Sequence, residues 1–310
     1  MQRFREYSTK AYASVSRRLP PFRGKYRVGI HALKTIAGDM SQWAEPEFFV
    51  QLKNGAALRI DVRSNTHLAP FLCGIYDTAL IDRFASLFEP DWVVMDVGAN
   101  VGYYSIPFAR RMKELGSGSV HAFEPVYANF DALESAIEKN DVGQFVRPHR
   151  IGLGDSKETV GIAMTDGGNT GNAVISNERL LEERGFAVTE EIEIRRLDEM
   201  KQLLDIERCD FIKIDIEGAE IFFLRGAREF IAQHTPILYG EFNSYFIERN
   251  GSELSEAWDF FDSLGYTCFA ENRKAFTFER VVEYRSGISD LLFLPPTVDP
   301  QWLKVMRCSP

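Results

Sequence analysis

The chain has 310 residues, 45% hydrophobic and 26% charged, a composition that supports a full core and excludes wholesale disorder. Its four cysteines (Cys73, Cys209, Cys268, Cys308) form no CxxC pair, which argues against a zinc ribbon or a disulfide scaffold and fits a reducing cytosol. The net charge of −9 speaks against nucleic acid as a partner, and no apolar run approaches the ~20 residues of a membrane span.

The first 34 residues stand apart by charge. They hold nine Lys or Arg and one acid, Glu6, so this segment carries +8 while the remainder of the chain carries −17. Phe4, Tyr7, Ala11, Val15 and Leu19 follow helical spacing, and Pro20-Pro21 ends the run. A basic helical arm is predicted over 1–34. Such an arm could dock on the acidic body, join two copies as a homodimer, or touch an anionic membrane surface. The opening residues lack the apolar stretch of a secretory signal, so a cytoplasmic protein is expected.

Residues 35–90 read as an N-terminal α/β extension. Two alternating runs, Glu47–Lys53 and Ala57–Val62, flank Asn54-Gly55 as in a β-hairpin. A helix follows from Asp77 to Phe88, closed by Pro90.

From 91 to 310 short apolar strands alternate with helices. Strands are predicted at 92–97, 119–124, 145–153, 211–215, 236–241, 266–270 and 290–294, with helices at 103–115, 129–140, 220–233 and 254–264. This alternation predicts a doubly wound, mostly parallel seven-stranded α/β sheet. The last two strands have no clear helix between them and are expected antiparallel. An insertion at 155–197 interrupts the pattern. It has strand-like stretches at 160–164 and 191–195 around a Gly/Asn-rich run, 165–173, which reads as a flexible loop or a lid.

A sheet of this kind binds its ligand at the carboxyl ends of the strands. There the first strand runs into Asp96-Val97-Gly98-Ala99-Asn100-Val101-Gly102, followed by a helix. Gly98 and Gly102 allow close backbone approach, and the helix start offers free N–H groups. Glu124 ends the second strand, where a carboxylate can accept from both ribose hydroxyls of a nucleoside. The spacing is GxxxG rather than the GxGxxG of dinucleotide sites. Asp96 would repel phosphate but can bind an ammonium group, directly or through water. The cofactor indicated is S-adenosylmethionine. Tyr104, after the glycine loop, is a candidate wall of the pocket for its methionine part.

Four motifs, in order along the chain, carry a family resemblance. Asp96–Ser105 resembles the first motif of the FkbM-type methyltransferases, and Phe123-Glu124-Pro125 resembles their second. Phe211-Ile-Lys-Ile-Asp-Ile-Glu-Gly-Ala-Glu220, with Leu224, Gly226 and Ala227, resembles the most distinctive one, and Gly240-Glu241-Phe242 the strand end that follows. The resemblance covers roughly 71–243. It implies a class I, Rossmann-like methyltransferase fold, cofactor contacts that include Ala99, Asn100 and Pro125, and O-methylation of a hydroxyl. The acceptors it implies are sugars of glycolipids or polysaccharides, or polyketide-type natural products. One departure is Asp77, where the family commonly has Glu.

Methyl transfer to a sugar hydroxyl requires alignment and removal of a proton. Asp215 ends the fourth strand with Glu217 just beyond it, Glu241 ends the fifth, and Lys213 points to the same side as Asp215. Buried acids at adjacent strand ends are costly unless used or paired. Two mechanisms remain. Asp215 or Glu217 acts as a general base, which is the favoured reading. Alternatively Asp215, Glu241 and Asn243 hold Mg²⁺ or Ca²⁺. Glu220 reads as a helix-start acid. A competing class is a silent scaffold that keeps the fold without catalysis, and the intact acids speak against it.

Overall fold

The computed structural model describes residues 2–20, 22, 24–165, 169–175, 188–200, 204–282 and 290–309. Its strands are β1 (Glu47–Gln51), β2 (Ala57–Asp61), β3 (Val93–Val97), β4 (Ser119–Phe123), β5 (Val146–His149), β6 (Gly152–Leu153), β7 (Glu158–Thr165), β8 (Asn169–Ile175), β9 (Val188–Arg195), β10 (Phe211–Ile214), β11 (Ile237–Glu241), β12 (Thr267–Asn272), β13 (Thr277–Val281), β14 (Asp290–Leu294) and β15 (Cys308–Ser309).

The central sheet runs β15-β13-β12-β14-β11-β10-β3-β4-β5. Five neighbouring strands, β11, β10, β3, β4 and β5, are parallel, and β14 enters antiparallel between β11 and β12. The fold class is therefore the doubly wound, mostly parallel α/β sheet. The seven-strand count is corrected to nine. β13 had no legible apolar alternation, because only Phe278 of its residues is buried, and β15 is two residues long. The expected antiparallel pairing of the last two predicted strands is present, as β12 against β14.

Three more expectations are corrected. The run 145–153 is not one strand: it breaks after His149, and β6 leaves the central sheet to pair with β9. The helix predicted at 220–233 is interrupted at Ala227 into Glu220–Gly226 and Arg228–His234. There a Cβ on Gly226 would sit 1.8 Å from the Gly154 carbonyl oxygen, so the turn after β6 presses directly on the helix end. Within the run 165–173, read as a loop, Asn169–Ile175 is strand β8, paired with β7; residues 166–168 lie outside the described residues.

Alternation along each central strand divides two cores. Val94, Phe211, Tyr239 and Leu292 face one side, while Met95, Ile212, Leu238 and Phe293 face the other. On the first side Phe84, Phe88, Phe108, Trp92 and Trp302 gather around Phe211 and one another at centroid distances of 4.8 to 6.2 Å. These edge and offset contacts fasten the N-terminal extension and the C-terminal helix Pro300–Val305 to the sheet. The insertion strands form a separate sheet, β6-β9-β7-β8, with a small core of Ile162, Ile192, Ile194 and Val126.

At the N-terminus the helix Gln2–Arg18 forms as spaced, and Pro20 follows it. It buries Glu6, Thr9, Ala13 and Ser16. The apolar stripe points the other way, with Phe4 77% and Tyr7 79% exposed.

Candidate functional site

The strand order reverses between β3 and β10, so their carboxyl ends open a crevice at the switch point. A cavity of about 480 Å³ lies there, within the range that encloses a small-molecule cofactor. Gly98, Ala99, Asn100, Tyr104, Glu124 and Pro125 line it, as do Lys213, Asp215, Glu217 and Glu241. The cofactor turn and the acidic strand ends therefore share one chamber.

The turn is built from within. The N–H groups of Gly98 and Ala99 donate to the Phe123 carbonyl at 3.0 and 2.9 Å, and that of Gly102 to Ala99 at 2.9 Å. Asn100 N–H donates to Glu124 Oε2 at 2.8 Å, and Val101 N–H to Asn100 Oδ1 at 2.8 Å. The N–H groups of the turn from Gly98 to Gly102 are thus all bonded within the protein. Asn100 takes a left-handed φ of 51°, which its short amide tolerates. Gly98, at φ 80°, is required sterically: a Cβ would lie 1.9 Å from the Asp215 carbonyl oxygen.

Glu124 is buried. Its Oε1 accepts from Val126 N–H at 3.0 Å and Asn129 Nδ2 at 3.3 Å, and Oε2 accepts from Asn100. Three of about four acceptor positions are therefore used, which leaves a lone pair of Oε2 for a ligand hydroxyl. Burial pushes its carboxyl up to about 7, against the lowering effect of these donors.

Asp96 and Gly102, expected to touch the cofactor, do not line the cavity. Asp96 is fully buried beneath the turn. Its Oδ2 accepts from Ser105 Oγ at 2.5 Å, and Oδ1 has no hydrogen-bond partner and lies 3.6 Å from Lys213 Nζ. A Cβ on Gly102 would meet Ile106 at 2.8 Å and Leu133 at 3.0 Å, so this glycine serves helix packing.

Lys213 follows from register, since β10 pairs with β3 so that Lys213 stands opposite Asp96. Its ammonium donates to the Gly98 carbonyl at 3.1 Å and lies 3.6 Å from both Asp96 and Asp215. The ring of Tyr104 lies 5.1 Å away. Burial pulls its pKa down, but Asp215 and Asp96 outweigh that and leave it raised. It is a charged clamp between the strand ends.

Glu217 stands in the left-handed region at φ 54°, a conformation that costs a side-chain-bearing residue about 1–2 kcal/mol and that collects at functional sites. The turn is held by Glu220, whose Oε1 accepts from Ile216 N–H at 3.0 Å and Gly218 N–H at 3.2 Å. Burial pushes the Glu217 carboxyl up to about 8, reinforced by Asp215, Glu241 and Glu220. Burial and then Asp215 also raise Glu241.

Asn243 does not join these acids. Its Oδ1 accepts from Tyr245 N–H at 3.1 Å and caps the helix Ser244–Arg249. Among the described residues no three His, Cys, Asp or Glu side chains are grouped so as to hold a metal ion. Of the alternative ion set, Asp215 and Glu241 line the cavity, while Asn243 serves as this helix cap.

Two walls were missed by sequence reasoning. Thr66 and Tyr76 of the N-terminal extension line the cavity, and Tyr76 stacks on Tyr103 at 3.9 Å. Beside them Asp77, at φ 41°, accepts from the Tyr104 hydroxyl at 3.4 Å. The departure at position 77 thus sits against the site. The insertion adds Ile162, Ile192 and Ile194; their alternation was legible as strand but not as a wall.

The parallel sheet, its antiparallel β14 and the chamber at the switch point define a class I, Rossmann-like methyltransferase fold. Residues 96–268 match the Methyltransferase FkbM domain, more than half of the chain, and the chain belongs to that family. It is 28% identical over 159 residues to methyltransferase sdnD of Sordaria araneosa, covering 44% of this chain and 60% of that protein. It is 25% identical over 195 residues to methyltransferase 1 of Beauveria bassiana, covering 58% and 72%. A crystal structure of a methyltransferase FkbM from Methylobacillus flagellatus is similar at 17% identity and a TM-score of 0.43, over 87% of this chain and 60% of that one. The match to the first of these relatives thus spans less than two thirds of its length.

Proposed function

We propose that the chain transfers a methyl group from S-adenosylmethionine to a hydroxyl of a sugar, carried on a glycolipid, a polysaccharide or a glycosylated natural product. One observation carries this reading: a cofactor turn whose N–H groups from Gly98 to Gly102 are bonded within the protein shares a chamber with three acids, Asp215, Glu217 and Glu241. Glu124 would hold the ribose through Oε2, and the apolar wall of Phe123 and Val126 suits the adenine. Asp96, buried with an unpartnered oxygen, acts on the site through Lys213 and Ser105.

The bound cofactor supplies an electrophilic sulfonium methyl. The chain's task is to place the acceptor and take its proton. As the acceptor oxygen takes the methyl, its hydroxyl proton would pass to the ionised Glu217 carboxylate. Asp215 and Glu241 accept from neighbouring hydroxyls of a polyol and keep it oriented, while Lys213 holds Asp215 in place. The four cysteines are free, which supports a reducing, cytoplasmic setting. Screening nucleotide sugars and glycolipids with labelled methyl donor tests the acceptor. Binding of cofactor with no labelled sugar, and label on an aglycone hydroxyl instead, would overturn the sugar assignment.

The proton acceptor sets a pH dependence. Turnover should rise with pH through about 8, the value to which Glu217 is pushed, because only its ionised form accepts. It should persist in EDTA and gain nothing from Mg²⁺; loss in chelator that Mg²⁺ restores would refute the metal-free mechanism.

Cofactor affinity should titrate separately. Ribose hydroxyls donate to the ionised Glu124, so binding lowers its pKa from about 7 and affinity climbs between pH 6 and 8. Calorimetry with S-adenosylhomocysteine should show this rise, and Glu124→Ala should weaken binding roughly 10- to 100-fold. A flat pH profile, or full affinity in the variant, removes Glu124 from the ribose site.

A further inference from the structure

We propose that the outward face of the N-terminal helices docks on an anionic bilayer surface. A helix on a water-soluble body ordinarily turns its apolar stripe inward. Gln2–Arg18 does the reverse: Glu6, Thr9, Ala13 and Ser16 pack inward, and Phe4, Tyr7, Val15 and Leu19 face out. In the stretch that follows, Phe22 and, on the next helix Lys25–Ile36, Tyr26 and Val28 are exposed as well. Seven of the fourteen large hydrophobic side chains that the described residues expose fall between positions 4 and 28, so exposed apolar surface is concentrated in this segment.

Charge selects the occupant. Arg3, Arg5, Arg18, Arg27 and Lys34 of the same segment are exposed, and none has an ion pair among the described residues. The segment's one acid, Glu6, is turned inward, bonded to Lys10 at 2.8 Å and to Ala44 N–H at 3.1 Å. An exposed apolar stripe in a segment rich in unpaired cations matches an interfacial helix on acidic lipid. A second copy meeting the same face about a two-fold axis would set +8 against +8. No described helix is long and apolar enough to cross a membrane, so the contact lies at the surface.

The patch is fixed to the catalytic body. Arg17 donates to the Phe71 carbonyl at 2.5 Å, Gln2 to Asp39 O at 2.7 Å and Lys10 to Glu45 O at 2.8 Å. Arg17 also reaches over Gly74, two residues before Tyr76 in the cavity wall. Docking would therefore hold the chamber beside acceptors that are themselves lipid-borne.

The test is sedimentation of the full chain with vesicles of phosphatidylcholine alone and with about a third phosphatidylglycerol. The wild type should pellet with the acidic vesicles only, less so as salt rises. Phe4→Ser with Tyr7→Ser should weaken this about tenfold or more, and so should Arg3→Gln with Arg18→Gln and Arg27→Gln. Unchanged S-adenosylhomocysteine affinity would show that both variants are folded. Pelleting with neither vesicle, or equally with both, overturns the proposal. A lipid-free dimer in analytical ultracentrifugation that Phe4→Ser and Tyr7→Ser dissolve would assign the face to a second copy instead.

Discussion

Glu217→Gln should lower kcat by roughly 10²- to 10⁴-fold and, at pH 8, make the protein more stable. The first effect follows from removing the proton acceptor without changing its shape. The second follows from linkage. The folded-state pKa of about 8 lies above the ordinary 4.5, so between those values the folded state holds more protons than the unfolded one. Stability from this group is fully present below about 4.5 and declines as pH climbs to about 8. Glutamine behaves as the permanently neutral form and escapes that loss. A gain of roughly 2–4 kcal/mol at pH 8 is expected, inside the ceiling of about 5 kcal/mol set by a rise from 4.5 to about 8, or roughly 4–12 °C in Tm. The gain should shrink as pH falls and vanish below about pH 4. A mutant that turns over normally, or one destabilised equally at both pH values, would remove Glu217 from the proton-acceptor role. The paired outcome also excludes simple unfolding as the cause of lost activity.

Gly98→Ala should cost the fold about 2–5 kcal/mol, from an alanine at positive φ and a Cβ driven into the Asp215 carbonyl. Tm should fall by roughly 5–15 °C, and S-adenosylhomocysteine binding should fall with it, because the collision separates the ends of β3 and β10. Gly116→Ala is the control. Gly116 has nearly the same φ, 84°, but nothing lies within 4 Å of the place an added methyl would take, so it reports the backbone cost alone. Equal losses in the two variants would show that the contact with Asp215 is relaxed at no cost.

Much of this fold was legible because the central strands are buried on both faces. Val93–Val97 and Phe211–Ile214 read as apolar runs at the intervals a parallel sheet demands. The acids at their ends were legible because they interrupt such runs. Lys213 and Asp96 were not separable in role, since only register sets one against the other. Asp96 looked like a ligand because it abuts the glycine turn; burial under Ser105 is a three-dimensional fact. Tyr76 escaped notice because its partner, Tyr103, lies 27 positions away. The N-terminal helix was correctly spaced, but spacing does not say which face meets the body. Its small side chains, Thr9, Ala13 and Ser16, allow the close approach that the bulky stripe would prevent.

The separate core of the β6-β9-β7-β8 sheet has a consequence for how such enzymes diversify. Ile162, Ile192 and Ile194 form one wall of the chamber, yet they pack on the remainder of the molecule chiefly through Val126. The glycine turn and Glu124 belong to other elements, braced by the central sheet. Exchange of this sheet between relatives would thus recut one wall while leaving the methyl donor's seat intact. Selection can act on this wall as on an interchangeable part, and chimeras joined near Gly154 and Arg195 are where a laboratory would begin to reshape it.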